Sequence, residues 1–150
     1  MDPIMKTQIA SILMNTDPKS VQRFSFEGIE TLARVVNIYD PDTFTIIFPY
    51  MNIITKLNIR VAGIDAPEKR SKVDAEKSLC YAGIDYLNAL ILDKIVYIKF
   101  GELDKYGRPL AIVYVLTEND ICEEDNIANK LILGGYARPY DGGTKEAWNL

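Results

Sequence analysis

Histidine is absent from all 150 residues. With no imidazole to move a proton near neutral pH, serine and cysteine triads that rely on histidine are excluded, and so are histidine-containing zinc sites. Cysteine is scarce: Cys80 and Cys122 lack metal-like spacing and allow a single pairing. Nothing favours that disulfide, so free thiols in a reducing compartment are the expectation. No apolar run approaches the roughly 20 residues that cross a bilayer. The run Ile9–Met14 behind Lys6 is too short for a good signal peptide, and Asp2 also argues against secretion. A cytoplasmic protein without membrane contact is expected. Internal repeats, linkers and low-complexity segments are missing as well.

What is present describes one globular domain. Hydrophobic residues make up 48% and charged residues 25% of the chain, enough for a single proper core. The net charge of −4 argues against a general nucleic-acid binder, yet the charge is unevenly spread. Glu118, Asp120, Glu123, Glu124 and Asp125 crowd one short window without a base. Residues 56–72 instead hold Lys56, Arg60, Lys69, Arg70 and Lys72 against Asp65 and Glu68. A basic site on an acidic protein is compatible with a phosphate ligand.

Residues 1–23 read as an added N-terminal arm, with a short helix within 3–14, and residues 24–150 as the domain. Strands are predicted over 32–39 and 43–48, joined at the turn Asp40-Pro41-Asp42, and over 54–62. In the third, Leu57, Ile59 and Val61 alternate with Asn58 and Arg60. Pro67 ends the pairing. A helix from Asp74, its expected N-cap, to Leu92 carries Leu79, Tyr86, Leu87, Leu90 and Ile91 on one stripe. Strands over 95–100 and 110–116 and a helix over 126–133, closed by Gly134-Gly135, complete the core. Three strands before a helix and two after it predict an α+β, mainly β fold: a five-stranded OB-type barrel with two to three helices. Such barrels often bind nucleic acid or sugars.

Candidate chemistry gathers around 57–70. Asp42, at the hairpin turn, and Asp65, after the third strand, can reach one end of the barrel. Two carboxylates with a backbone carbonyl and water suit a hard cation such as calcium or magnesium. Arg60 and Arg108 offer planar forks for a phosphate, and Glu68 can accept a proton from water or orient it. Each feature also has an ordinary reading. Asp and Pro belong in turns, Arg108 in a Tyr-Gly-Arg-Pro turn can be merely solvated, and Glu68 can pair with Lys69 or Arg70.

Taken together, three separated elements resemble the staphylococcal nuclease (thermonuclease) family. They are Asp40-Pro41-Asp42-Thr43, the run from Arg60 through Asp65 to Pro67-Glu68, and Asp104-Lys105-Tyr106-Gly107-Arg108 followed by Leu110-Ala111. Asn126-Ile127-Ala128 through Gly135-Tyr136-Ala137 is similar to the family's later helix and the stretch after it. The resemblance implies calcium ligation by Asp42, Asp65 and the Ala66 carbonyl, with magnesium or manganese as alternatives. It implies catalytic roles for Arg60, Arg108 and Glu68, and substrate contacts from Lys105, Tyr106 and Tyr140. The implied reaction is metal-dependent hydrolysis of DNA or RNA that leaves 3′-phosphates; single strands as substrate and a monomeric chain are the accompanying expectations. The alternative is a non-catalytic OB-fold module that binds nucleic acid or protein. Pro41 departs from the family's glycine in the hairpin turn, and the loop after Glu68 is short.

Overall fold

Thr31 to Tyr39 is rich in β-branched and aromatic residues, and it forms the middle of β1 (Glu30–Asp40). The computed structural model describes residues 1–150. Pro41 and Asp42 turn the chain into β2 (Thr43–Tyr50), and Asp40 pairs with Thr43 across that turn. The β1–β2 register shifts between Val35 and Asn37 and again between Ile38 and Asp40, so the second irregularity adjoins the turn that carries Asp42. Met51 and Asn52 then adopt φ of 49° and 64°, the left-handed pair of a tight hairpin, and lead into β3 (Ile53–Val61).

The short β4 (Ile64–Asp65) follows Gly63. The helix α2 spans Asp74–Ile91 and buries Cys80, Gly83, Ile84, Leu87 and Ile91 against the barrel. Asp74 is its first helical residue. Val73 holds the N-cap position without a side-chain bond, which corrects the expected Asp74 cap. The strands β5 (Ile95–Leu103) and β6 (Pro109–Val115) come next, then α3 (Ile127–Leu133), capped by Asn126 through the Ala128 amide. A final pair of residues, β7 (Arg138–Pro139), pairs with β4.

The barrel closes in the order β1-β2-β3-β6-β5. Every neighbour is antiparallel except β3 and β6, whose parallel seam sets Arg60 against Leu110 and Val61 against Ala111. This is the OB-type α+β barrel with three helices. Its interior holds Val35, Phe44, Ile46, Ile59, Val61, Val96, Ile98 and Val113, none more than marginally exposed. Phe26, Phe48 and Phe100 pack ring against ring at one part of the core, with centroids 5.2–5.8 Å apart. The N-terminal helix, here α1 (Pro3–Met14), buries no side chain, and residues 1–25 are all exposed. No helix is long and apolar enough to cross a membrane.

Candidate active site

Arg60 is the penultimate residue of β3, where the strand faces Thr43 on one side and Leu110 on the other. Both its neighbours, Ile59 and Val61, are buried, and Arg60 itself is 9% exposed. A guanidinium at that depth needs partners, because a desolvated charge without them is costly. Arg60 donates to Asp42 Oδ2 at 3.4 Å and to the Ile64 carbonyl at 3.2 Å, and lies 3.8 Å from Asp65 Oδ1. Its guanidinium carbon sits 5.4 Å from the centre of the Tyr140 ring. One arginine therefore joins the β1–β2 turn to β4.

Asp42 is held from three sides. The Thr43 hydroxyl donates to Oδ1 at 2.9 Å, and the Ala66 amide donates to Oδ2 at 3.2 Å. Its own carbonyl accepts from Val61 at 2.8 Å, which pins the turn to the end of β3. Thr43 Oγ1 also accepts from Arg108 at 3.4 Å. A continuous polar chain thus runs from Arg108 through Thr43 and Asp42 to Arg60 and Asp65.

Arg108 is oriented by the turn it closes. Gly107, at φ 79°, permits the left-handed step, and Asp104 Oδ1 accepts the backbone amides of Tyr106 and Arg108, both at 2.9 Å. Asp104 Oδ2 accepts Arg108 Nε at 2.8 Å. Partial burial would raise the Asp104 carboxyl, but the hydrogen bonds from the Arg108 and Tyr106 amides and the adjacent guanidinium outweigh it and hold it below its ordinary value. Tyr106 stays exposed, with Lys105 Nζ 5.1 Å and the Arg108 guanidinium carbon 5.6 Å from its ring centre.

Above this chain lies a cleft of about 580 Å³, lined among others by Arg60, Glu68, Lys105, Tyr106, Arg108 and Tyr140. Glu68 presents an exposed carboxylate there, while its backbone amide donates to Glu76 Oε1 at 3.3 Å. The structure brings the nine residues singled out from the sequence to one end of the barrel in two layers. Asp42, Asp65 and Ala66 are buried beneath, and Arg60 and Arg108 reach from that layer into the cleft. Glu68, Lys105, Tyr106 and Tyr140 line the cleft itself.

Asp65, 2% exposed, has partners the sequence did not announce. Arg138 donates to its Oδ2 through Nη2 at 2.9 Å and Nε at 3.2 Å, and Lys145 Nζ lies 3.0 Å from Oδ1. Neither cation carries a local motif. Asp104 and Thr43 were also missed as positioning residues, although both stand inside the quoted elements beside Arg108 and Asp42. Asp42 and Asp65 are the two buried carboxylates here, and no group of three or more His, Cys, Asp or Glu residues is arranged to hold a metal ion. Two buried carboxylates with no soft ligand beside them are of the donor type that suits a hard cation.

Residues 58–147 match the family described as staphylococcal nuclease homologue. The chain belongs to this family. The matched staphylococcal nuclease homologue segment takes in Arg60, Asp65, Glu68 and Arg108, and also Arg138 and Lys145; Asp42 lies before it. The chain is also 32% identical over 81 residues to a protein described as an uncharacterized endonuclease of Escherichia coli O157:H7. That alignment covers 54% of this chain and 46% of the relative, so the chain matches under half the length of that curated protein. Within the staphylococcal nuclease homologue family, the geometry of this chain sets two guanidinium groups and an exposed carboxylate around one open cleft.

Proposed function

We propose that the chain is a nuclease that hydrolyses phosphodiester bonds of DNA or RNA, preferring single strands, with the help of a divalent cation. The observation that carries this reading is the polar chain Arg108–Thr43–Asp42–Arg60–Asp65 beneath an open cleft. Membership of the staphylococcal nuclease homologue family supports it, and so does similarity to a protein named an endonuclease.

The two guanidinium groups hold a bridging phosphate and share the negative charge that grows on a five-coordinate phosphorus. They cannot lose their protons, so this support persists at any physiological pH. Glu68, exposed on the cleft wall, accepts a proton from the attacking water or orients that water. Lys105 and Tyr106 contact the substrate beside the scissile phosphate, and Tyr140 offers a ring for a base to stack on. Asp42, Asp65 and the Ala66 carbonyl are the groups that would hold the cation. It is calcium in the first instance and magnesium or manganese otherwise, and when bound it supplies positive charge to the phosphate oxygens.

The test is digestion of single-stranded DNA and of RNA by the whole chain with added calcium, magnesium or manganese. Arg60→Ala, Arg108→Ala and Glu68→Ala are each expected to slow cleavage by about 10²–10³-fold. Intact substrate with wild-type protein under every metal would remove the enzyme reading and leave a non-catalytic binding module. Cleavage by Glu68→Ala at the wild-type rate would remove the role given to Glu68 alone.

A further inference from the structure

Asp65 is surrounded by more positive charge than one buried carboxylate requires. Arg60, Arg138 and Lys145 all lie within 3.8 Å of it. The three contacts differ in how firmly they are built. Arg60 belongs to the barrel. Arg138 stands directly opposite Asp65 in the β4–β7 pairing, so backbone hydrogen bonding holds it in place. Lys145 belongs to neither. It lies in the segment after β7, which has no regular structure, and its side chain is 43% exposed.

That segment is nevertheless directed. The Tyr140 amide donates to the Gly63 carbonyl at 2.9 Å, and the Tyr140 hydroxyl donates to the Gly143 carbonyl at 2.6 Å. Arg138 donates to the carbonyls of Glu146 and Ala147, and its guanidinium carbon stacks 4.3 Å from the Trp148 ring. Anchored on both sides, the segment carries Lys145 over the cleft wall. Its ammonium stands between Asp65 Oδ1, at 3.0 Å, and Glu68 Oε1, at 3.9 Å, with the Tyr140 ring 5.6 Å away. The position is a cation position: a buried carboxylate below, an exposed carboxylate beside it and the face of an aromatic ring.

We propose that Lys145 is a tethered competitor for the divalent-cation site, and that the segment after β7 lets go of Asp65 when the cation binds. This inference rests on the cation reading given under Proposed function. A cation at Asp42 and Asp65 would draw on the carboxylate that Lys145 already contacts, so binding of one weakens the other. Of the three cations around Asp65, Lys145 gives way because its contact is the most exposed and its backbone has no ladder to hold it. The loop wall of the cleft, Gly142 to Lys145, moves with it. Arg138 keeps its pairing throughout.

The experiment is calorimetric titration of calcium, and separately of magnesium and manganese, into the full chain, without nucleic acid, for wild type, Lys145→Met and Lys145→Arg. Emission from Trp148, the one tryptophan, is followed in parallel. Lys145→Met is expected to bind calcium about three- to tenfold more tightly than wild type, and Lys145→Arg to stay near wild type because it retains the competing charge. Calcium should shift wild-type Trp148 emission, and Lys145→Met should start closer to the shifted value. Equal or weaker calcium affinity in Lys145→Met, with wild-type binding intact, overturns the competition and leaves the cation site standing. Absence of calcium, magnesium and manganese binding in all three proteins overturns the cation site and the competition together.

Discussion

Gly83 of α2 lies against the ring of Pro41, so closely that a Cβ on Gly83 would meet Pro41 Cγ at 2.7 Å and Pro41 Cβ at 3.3 Å. Pro41 stands where the family pattern has glycine, in the turn that delivers Asp42. The extra bulk of proline in the turn is accommodated by the missing side chain on the helix. A helix separated from the turn by three strands thus sets the room available to the site's first turn.

Gly83→Ala tests that relationship. Alanine favours a helix interior over glycine by about 1 kcal/mol. Overpacking against Pro41 and Tyr136 should cost about 1–3 kcal/mol, and the net effect in urea unfolding is expected to be a loss. Pro41→Gly in the Gly83→Ala background should recover part of it, a coupling a double-mutant cycle reads directly. A more stable Gly83→Ala would show that the helix stands farther from the turn.

Arg138→Ala removes two donors from one oxygen of Asp65. With Arg60 and Lys145 still near, stability is expected to fall by about 1–3 kcal/mol rather than collapse. Arg138→Lys should recover only part of the loss, since a point charge does not reproduce two directed N–H bonds. Unchanged unfolding midpoints for both variants would show that this pair adds nothing to stability.

Asp104 makes stability depend on acid. Its folded carboxyl lies below the ordinary value of 3.8, which it regains in the unfolded chain. The group therefore contributes stability above the unfolded value, and that contribution fades as pH falls through the folded one. Asp104→Asn should melt lower than wild type at neutral pH, with the gap closing towards pH 2. It should also slow cleavage while Arg108 remains present, because the fork loses its anchor. A melting gap that is constant with pH would mean that the charge of Asp104 is immaterial.

Cys80 is expected to be chemically silent. Burial, the charge of Asp40 and a hydrogen bond to it at 3.5 Å push its thiol up to about 12. Almost no thiolate exists at pH 8, and the side chain has no exposed surface. Ellman's reagent should therefore find one fast thiol, the exposed Cys122, in the native protein and two after unfolding. Two fast thiols in the native protein would contradict the packing of α2.

Much of this protein follows from residues close together in the chain. Alternation in Leu57–Val61, the β-rich run before Asp40 and the helical stripe of Leu87 and Ile91 determine strands and helices, because period-2 and period-3.6 burial act over a few residues. The same nearness groups Arg60, Asp65 and Glu68, and the Asp104–Arg108 turn organises itself through its own carboxylate. The tertiary structure decided what those groups meet. The parallel β3–β6 seam brings the strand that follows Arg108 beside Arg60. The β4–β7 pairing sets Arg138 on Asp65 from 73 residues along the chain. Gly83 makes room for Pro41 only once α2 has packed. Such contacts are made by ladders and packing between distant segments, whose pairing leaves no period in either segment alone.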